Sequence, residues 1–189
     1  MHLIGGLWKR SKLPVADVPG LRPTPGRVRE TLFNWLGQDL SGWRVLDAFA
    51  GSGALGFEAA SRGAAEVVLL ERDAHLAASL EASRVRLGGA AMRVQRADAL
   101  AWMHTCAPGR FELVLLDPPF DADMAAAALA AALPLVSAQG LIYVESPHAL
   151  GDAILAAPWQ VWRHARAGAV HSHLLRRSYT DDPATRSAT

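Results

Sequence analysis

Short apolar runs alternate with helix-like stretches from Trp43 onward, and this alternation limits the possible fold more than any other feature of the sequence. Nearly continuous apolar runs of this kind are typical of strands that are buried on both faces of a parallel sheet. The predicted strands are Arg44–Phe49, Glu66–Leu70, Ala91–Gln95, Phe111–Leu116 and Leu141–Val144, and the predicted helices are Ala54–Arg62, Ala74–Leu87, Ala99–Thr105 and Met124–Val136. The pattern therefore predicts an α/β fold, with helices on both faces of a mostly parallel sheet.

Both ends of the chain depart from this alternation. Two short extended stretches, near Leu3–Trp8 and Leu13–Val18, predict a small N-terminal hairpin. Near the other end, Trp159–Arg166 and Val170–Tyr179 flank a turn and predict a closing antiparallel pair. We therefore expect an N-terminal extension over residues 1–23, one domain over residues 24–180 and a flexible tail over residues 181–189.

Composition excludes several classes of protein. Hydrophobic residues make up 51% of the chain and charged residues 20%, which is typical of a globular domain and not of a disordered one. No apolar run has the length of a membrane span, and the N-terminus lacks the layout of a signal peptide. The single cysteine, Cys106, excludes an internal disulfide. These features together favour a cytoplasmic protein with no membrane partner.

Positive charge is concentrated near the N-terminus. Residues 1–30 carry a net charge of +4, whereas the whole chain carries only +1. A basic segment on a mildly acidic body indicates a polyanionic partner, although a solvated basic tail, or an internal ion pair with Glu30, explains the same charges. The candidate contacts to the phosphates of a nucleic-acid partner are Lys9, Arg10, Lys12, Arg22, Arg27 and Arg29.

A glycine loop follows the first predicted strand. Gly51, Gly53 and Gly56 have the spacing G-x-G-x-x-G, and Glu71 lies 20 residues after the first of them, where a ribose-binding acid belongs. This constellation suits either a nicotinamide cofactor or S-adenosylmethionine, because both contain an adenosine. The loop therefore predicts a nucleotide-like cofactor without deciding which one.

Two further acids favour S-adenosylmethionine. Asp47 precedes the loop, where its charge would repel a pyrophosphate and attract a sulfonium and an amino group. Asp98 follows the third strand and is placed to reach an adenine, although both acids are also candidates for simple helix caps. The predicted cofactor-binding residues are Asp47, Phe49, Ala50, Gly51, Ser52, Gly53, Glu71, Arg72, Asp98 and Ala99.

The tetrapeptide Asp117-Pro118-Pro119-Phe120 ends the fourth predicted strand and carries the predicted chemistry. The prolines lack backbone N–H groups and hold the chain extended, which leaves the Pro118 carbonyl free to accept a hydrogen bond. This carbonyl and the Asp117 side chain make a pair of acceptors for one NH₂ group, and Phe120 provides a flat surface for a base. The motif therefore predicts that an exocyclic amine is held for methylation, with Asp117 able to take its proton.

These motifs together resemble those of the class I, Rossmann-like methyltransferases that act on exocyclic amines. More narrowly, four segments are similar to the bacterial 16S ribosomal RNA guanine-N(2)-methyltransferase family: residues 3–8, 21–36, 47–56 and 141–145. The resemblance extends over roughly residues 3 to 180. It implies a seven-stranded sheet, a small N-terminal β-hairpin, S-adenosylmethionine as cofactor, and a monomer that methylates ribosomal RNA within an assembled small subunit or its precursor.

Three other functions remain open on the residues alone. One is a nicotinamide-dependent oxidoreductase, which the glycine spacing permits but which leaves Asp47 and Asp117 unexplained. The others are a non-catalytic RNA-binding factor and a methyltransferase of adenine amines in DNA or RNA. We predict no metal site, because His171 and His173 share a strand face without a third ligand at a suitable spacing.

Overall fold

The computed structural model describes residues 1–15, 25–119, 122–151, 155 and 157–178, and its centre is a seven-stranded sheet. The strand order is β3-β2-β1-β4-β5-β7-β6, in which the first five strands are parallel and the last two antiparallel. The strands are β1 (Arg44–Asp47), β2 (Glu66–Glu71), β3 (Met92–Arg96), β4 (Phe111–Leu116), β5 (Val136–Ser146), β6 (Trp159–Ala167) and β7 (Val170–Arg177). The predicted mostly parallel sheet and its closing antiparallel pair are confirmed.

Helices cover both faces of this sheet, as the alternation predicts. They are α1 (Gly26–Leu36), α2 (Ala54–Ser61), α3 (Ala74–Leu87), α4 (Ala99–Thr105) and α5 (Ala122–Ala132). Leu32, Phe57 and Leu80 bring the first three helices into the core on one face. Met103 and Leu129 bring the last two into a second core on the opposite face. The two cores hold the sheet rigidly between them, and they leave its carboxyl edge to the loops.

None of the helices in the described part of the chain is both long enough and apolar enough to cross a membrane.

The fourth predicted helix, Met124–Val136, is wrong at its carboxyl end. Helix α5 ends at Ala132, a short 3₁₀ turn covers Leu133–Leu135, and β5 begins at Val136, five residues before the predicted strand. The physical reason is Pro134, which has no N–H group to donate and therefore cannot continue the α-helical hydrogen bonds. Strand β5 is consequently longer than its apolar run.

The N-terminal segment folds back onto the domain. The extended stretch predicted near Leu3–Trp8 is wrong after Ile4, because residues 5–10 form turns. An antiparallel bridge joins His2 to Lys12, so the segment still reverses direction as the hairpin prediction required. Leu3 and Leu13 are buried in the same core as α1 and α2. The segment is therefore anchored by apolar packing and is not a free arm.

Candidate active site

Acidic side chains lie at the ends of four neighbouring strands. Asp47 ends β1, Glu71 ends β2, Asp117 directly follows β4, and Glu145 is the penultimate residue of β5. The carboxyl ends of parallel strands meet at one edge of a sheet, which is where ligands of open α/β sheets bind. The sheet order therefore gathers these acids, which are up to 98 residues apart in the chain, into one row.

Asp47 is the most deeply buried of the predicted cofactor-binding acids, with only 2% of its surface exposed. Its Oδ2 accepts a 2.8 Å hydrogen bond from the backbone N–H of Gly56 in α2. A side chain at Gly56 would place its Cβ 2.9 Å from this oxygen, so the glycine lets α2 approach the strand closely. The third glycine of the motif thus serves helix–strand packing around Asp47.

Burial raises the pKa of Asp47 to about 7, and the hydrogen bond from Gly56 offsets part of this effect. The negative charges of Asp117 and Glu71 raise the pKa further. A carboxylate is costly in such surroundings unless a cation compensates for it. The arrangement therefore favours a positively charged ligand group beside Asp47.

The glycine loop connects β1 to α2 and is bonded to β2. Gly51 and Gly53 have φ angles of 51° and 79°, in the left-handed region that favours glycine. A Cβ at Gly53 would lie 2.6 Å from the side chains of Phe57 and Leu80. The N–H of Gly51 donates to Oε2 of Glu71 at 2.9 Å. The structure thus brings the loop and the ribose-binding candidate into direct contact.

The remaining cofactor candidates occupy varied surroundings. Asp98 is exposed and caps α4 by accepting the Ala101 N–H at 2.9 Å, which is the simpler of its two interpretations. Arg72 is exposed at the end of β2, whereas Ala99 is buried in the core. Phe49, Ala50 and Ser52 lie in the loop itself, with Ala50 buried and the other two partly exposed.

Asp117 is partly exposed at the centre of the acidic row, between β1 and β5. Leu113–Leu116, the four residues before it, are fully buried, which fixes the start of the motif. Pro118 is buried and Pro119 is exposed. Phe120, the predicted stacking surface, lies outside the described residues. The first three residues of the motif are thus at the open edge of a rigid strand.

Glu145 is a site residue to which the sequence reasoning gave no role. Its side chain is only 4% exposed, and its Oε1 accepts a 2.8 Å hydrogen bond from the Tyr143 hydroxyl. Burial and the nearby charge of Asp117 raise the pKa of Glu145 to about 8. An acid at the end of an apolar strand next to Asp117 was a usable signal, but only the strand order makes the two residues neighbours.

One of the predicted RNA contacts is not supported. Arg29 is buried, and its guanidinium donates to the His2 carbonyl at 3.1 Å and pairs with Glu58 at 3.4 Å. Glu58 is fully buried and also pairs with Arg62 at 2.8 Å. A guanidinium that is enclosed in this way cannot reach a phosphate, so Arg29 has a structural role. The internal ion pair was foreseen with Glu30, but the partner is on α2.

The structure describes four of the other predicted RNA contacts. Lys9, Arg10, Lys12 and Arg27 are exposed, and Arg22 lies outside the described residues. The first three belong to the N-terminal turn, residues 5–12, in which Leu7 donates its N–H to Ser61 and Lys12 accepts a bond from Arg86. Those partners are at the carboxyl-terminal ends of α2 and α3, whereas the glycine loop precedes α2. The N-terminal turn is therefore about one helix length away from the acidic row.

The prediction that His171 and His173 lack a third ligand is wrong. His171 and His173 do have a third histidine beside them, because His164 on β6 pairs with His173 across the ladder. Sequence spacing does not reveal a neighbour on another strand. Leu150 donates its N–H to Nε2 of His173 at 3.0 Å, and His164 and His171 share a 3.0 Å hydrogen bond. The bond from Leu150 places the ring hydrogen of His173 on Nδ1, so this tautomer offers an ion no free lone pair.

Comparison with known proteins places this geometry in a family. The family described as "Conserved hypothetical protein 95" matches residues 1–176. The Ribosomal RNA small subunit methyltransferase D of Escherichia coli is 39% identical over 94% of this chain and 90% of its own length. The protein of the same name from Haemophilus influenzae is 36% identical over 93% of both chains.

Solved structures agree with this assignment. One from Escherichia coli has a TM-score of 0.83 and 37% identity, and the match covers 94% of this chain and 98% of that one. A Thermus thermophilus 16S rRNA N2 G1207 methyltransferase, at 24% identity, has a TM-score of 0.66 over 86% of this chain and 44% of its own, which is a likeness of fold. The architecture is that of the class I, Rossmann-like methyltransferases. The chain belongs to the family of the ribosomal RNA small subunit methyltransferases D, and is an rRNA methyltransferase.

Proposed function

We propose that the chain transfers a methyl group from S-adenosylmethionine to the exocyclic N2 amine of a guanine in 16S ribosomal RNA. The observation that carries the proposal is the position of Asp117, between the glycine loop of β1 on one side and β5 on the other. A methyl donor over the loop and a base over β5 would meet at this residue. The names of the relatives support ribosomal RNA as the substrate.

The residues around the glycine loop fit S-adenosylmethionine better than a nicotinamide cofactor. Buried Asp47 needs a cationic partner, and Glu71 lies against the loop backbone, where two ribose hydroxyls would be acceptable donors. A pyrophosphate would add negative charge beside two carboxylates. Bound S-adenosylmethionine supplies a methyl group on a positively charged sulfur. The Thermus protein of similar fold is described in complex with AdoMet and guanosine, the two ligand classes proposed here.

Asp117 and the Pro118 carbonyl would act directly on the substrate amine. The lone pair of a base amine is delocalised into the ring, which makes the nitrogen a weak nucleophile. Two acceptors that bind its hydrogens favour a pyramidal nitrogen, with the lone pair directed at the methyl group. Asp117 also accepts the proton that the amine loses when the new N–C bond forms. Positioning of the amine supplies most of the acceleration.

The proposed substrate is a folded RNA and not a single nucleotide. Exposed cations in the N-terminal turn are about one helix length away from Asp117, so a ligand that contacts both must be large. The family resemblance favours an assembled small subunit or its precursor as that ligand, and a monomer as the active form. Methylation of an adenine amine is the second candidate, because the acceptor pair binds NH₂ groups generally.

The decisive experiment compares the wild-type chain with Asp117→Ala on small subunits from bacteria that lack this enzyme. We expect the wild type to add one methyl group to a guanine, located by mass mapping of the rRNA. The variant should lose methyl transfer by about 100-fold or more, because both the acceptor and the base are removed. Its affinity for S-adenosylhomocysteine should stay within about threefold of wild type, since Asp117 is not part of the glycine loop.

Asp123→Asn is the matched control, because Asp123 is an exposed acid on the neighbouring helix α5. This variant should retain wild-type transfer. Full activity of Asp117→Ala would remove Asp117 from the mechanism. Binding of NAD in place of S-adenosylmethionine would reject the proposed cofactor, and a mapped methyl group on adenine would favour the second candidate.

A further inference from the structure

Glu145 and Asp117 are carboxylic acids on adjacent strands at the catalytic edge. Leu116 of β4 pairs in register with Val144 of β5, so the residues that follow, Asp117 and Glu145, are neighbours. Adjacent strands lie about 4.8 Å apart, so the two side chains can contact the same ligand. Side chains alternate along a strand, and both acids follow residues that face the α4–α5 core. They therefore point to the same face of the sheet.

Hydrogen bonds hold one half of the Glu145 carboxyl group. The Tyr143 hydroxyl donates to Oε1 at 2.8 Å and lies 3.1 Å from the Ser172 hydroxyl of β7. All three residues are at most 4% exposed, so this group of side chains is rigid. Among the described residues no hydrogen bond to Oε2 is found, so this oxygen is available to a ligand donor. In the free chain near neutral pH it carries a proton, because burial and the charge of Asp117 raise the pKa of Glu145 to about 8.

The sheet order assigns the substrate to the side of Asp117 on which Glu145 lies. The cofactor candidates Asp47 and Glu71 are on β1 and β2, to one side of β4. Strands β5 and β7 are on the other side. A base whose amine is bound by Asp117 and faces the methyl donor must therefore extend over β5. Glu145 is the acidic side chain that this base meets next.

Guanine and other purine amines differ at the ring atom beside the amine. In guanine the N1 atom next to the C2 amine carries a hydrogen and is a donor. In adenine the N1 atom next to the C6 amine carries a lone pair and is an acceptor. The same is true of 2-aminopurine, which has its amine at C2 as guanine does. An acceptor placed beside the amine-binding residue accordingly discriminates between these bases.

We propose that Glu145 selects guanine by accepting a hydrogen bond from N1–H while Asp117 and Pro118 bind the neighbouring amine. When guanine binds, the proton on Oε2 leaves to the solvent and N1–H donates to the carboxylate that remains. A base with a lone pair at N1 brings no donor to this carboxylate. Tyr143 and Ser172 keep the acceptor oriented. This inference rests on the proposed function and adds to it the residue that determines the choice of base.

The test uses small subunits reconstituted from ligated rRNA, with either guanine or 2-aminopurine at the nucleotide mapped above. At about pH 9, where Glu145 is ionised, wild type should methylate guanine at least about tenfold faster than 2-aminopurine, since a buried acceptor without its donor is costly. In Glu145→Gln, the amide oxygen keeps the bond from Tyr143 and the NH₂ group faces N1. This variant should methylate guanine at least about tenfold more slowly than wild type does, and 2-aminopurine at the same rate. Its preference for guanine should therefore disappear or reverse.

Glu112→Gln, the same substitution at the amino end of β4, is the matched control and should keep the wild-type preference. Thermal unfolding and S-adenosylhomocysteine affinity show whether each variant is folded. A wild type that methylates both bases equally would overturn the inference without any variant. A folded Glu145→Gln that still prefers guanine, or that loses both substrates equally, would also overturn it. A wild type that methylates neither substrate would instead reject the proposed function.

Discussion

At the scale of the residue, the buried charge of Asp47 lowers stability, and the proposed cationic ligand would offset this cost. Its carboxyl group is buried among other acids, and its pKa is about 7 against an ordinary value of 3.8. Between these two values the native chain binds more protons than the unfolded chain does. The free energy of unfolding therefore falls as the pH rises from about 4 to about 7, at about 1.4 kcal/mol for each pH unit. A bound cation would recover this loss.

We expect the free energy of unfolding of Asp47→Asn, measured relative to wild type, to be about 2 kcal/mol higher at pH 8 than at pH 5. Asparagine keeps an acceptor for the Gly56 N–H and removes the buried charge. Urea denaturation at the two pH values measures the effect. The variant should at the same time bind S-adenosylmethionine at least tenfold more weakly. If the free energy of unfolding of both proteins changes equally with pH, the charge of Asp47 does not destabilise the native chain.

At the scale of the element, the β1–α2 loop requires glycine at position 53 for two reasons, its backbone conformation and its close packing. Gly53 has a positive φ, and a Cβ there would collide with Phe57 and Leu80. Gly88 at the end of α3 also has a positive φ, but no atom lies within 4 Å of its Cβ position. Alanine substitutions at these two glycines therefore distinguish the cost of backbone strain, which both share, from the cost of overpacking, which only Gly53 has.

Gly53→Ala should cost about 2 to 4 kcal/mol of unfolding free energy, and Gly88→Ala about 1 kcal/mol, because only the first adds a clash to left-handed strain. Chemical denaturation of both variants measures the difference. Gly53→Ala should also bind S-adenosylhomocysteine more weakly than wild type, while Gly88→Ala should bind it with wild-type affinity. Calorimetry measures both affinities. Equal destabilisation by the two substitutions would mean that the loop packing is not restrictive.

Another element-scale feature is the attachment of the N-terminal segment to α2. Glu58 accepts hydrogen bonds from the backbone N–H groups of Ile4 and Gly5, and it also pairs with Arg29 and Arg62. A buried carboxylate needs such partners, and the two guanidinium groups neutralise its charge. One glutamate thus fastens α1, α2 and the N-terminal segment to one another.

At the scale of the whole molecule, the N-terminal turn presents positive charge away from the acidic row. We expect replacement of Lys9, Arg10 and Lys12 by Gln to weaken binding to small subunits and to reduce the slope of log affinity against log salt by about 2 to 3. The maximal rate at saturating substrate should stay near wild type. A filter-binding titration at several salt concentrations measures both affinity and slope.

The matched control replaces Arg93, Arg163 and Arg176 by Gln, three exposed arginines on β3, β6 and β7. It removes the same charge from parts of the surface to which we assign no RNA contact. An equal loss in both triple variants would indicate general attraction to RNA instead of a contact at the N-terminal turn.

What could be predicted from the sequence was local. Apolar periodicity placed the strands and helices, since a buried strand or an amphipathic helix is legible in a few consecutive residues. Glu71 and Asp117 were identified because each directly follows such a run, and Asp47 because it precedes the glycine loop. The boundaries were less certain, as Pro134 shows by ending α5 before the apolar pattern ends.

The tertiary structure alone decided which distant residues meet. Arg29 is buried against Glu58, and His164 lies beside His173, because helix packing and strand pairing join parts of the chain with no fixed spacing. Glu145 lies beside Asp117 for the same reason, through the order of β4 and β5. By itself the sequence determined the elements and the acids that end them. The packing of the sheet decided that those acids form one edge, since a neighbour across a sheet leaves no pattern in the chain.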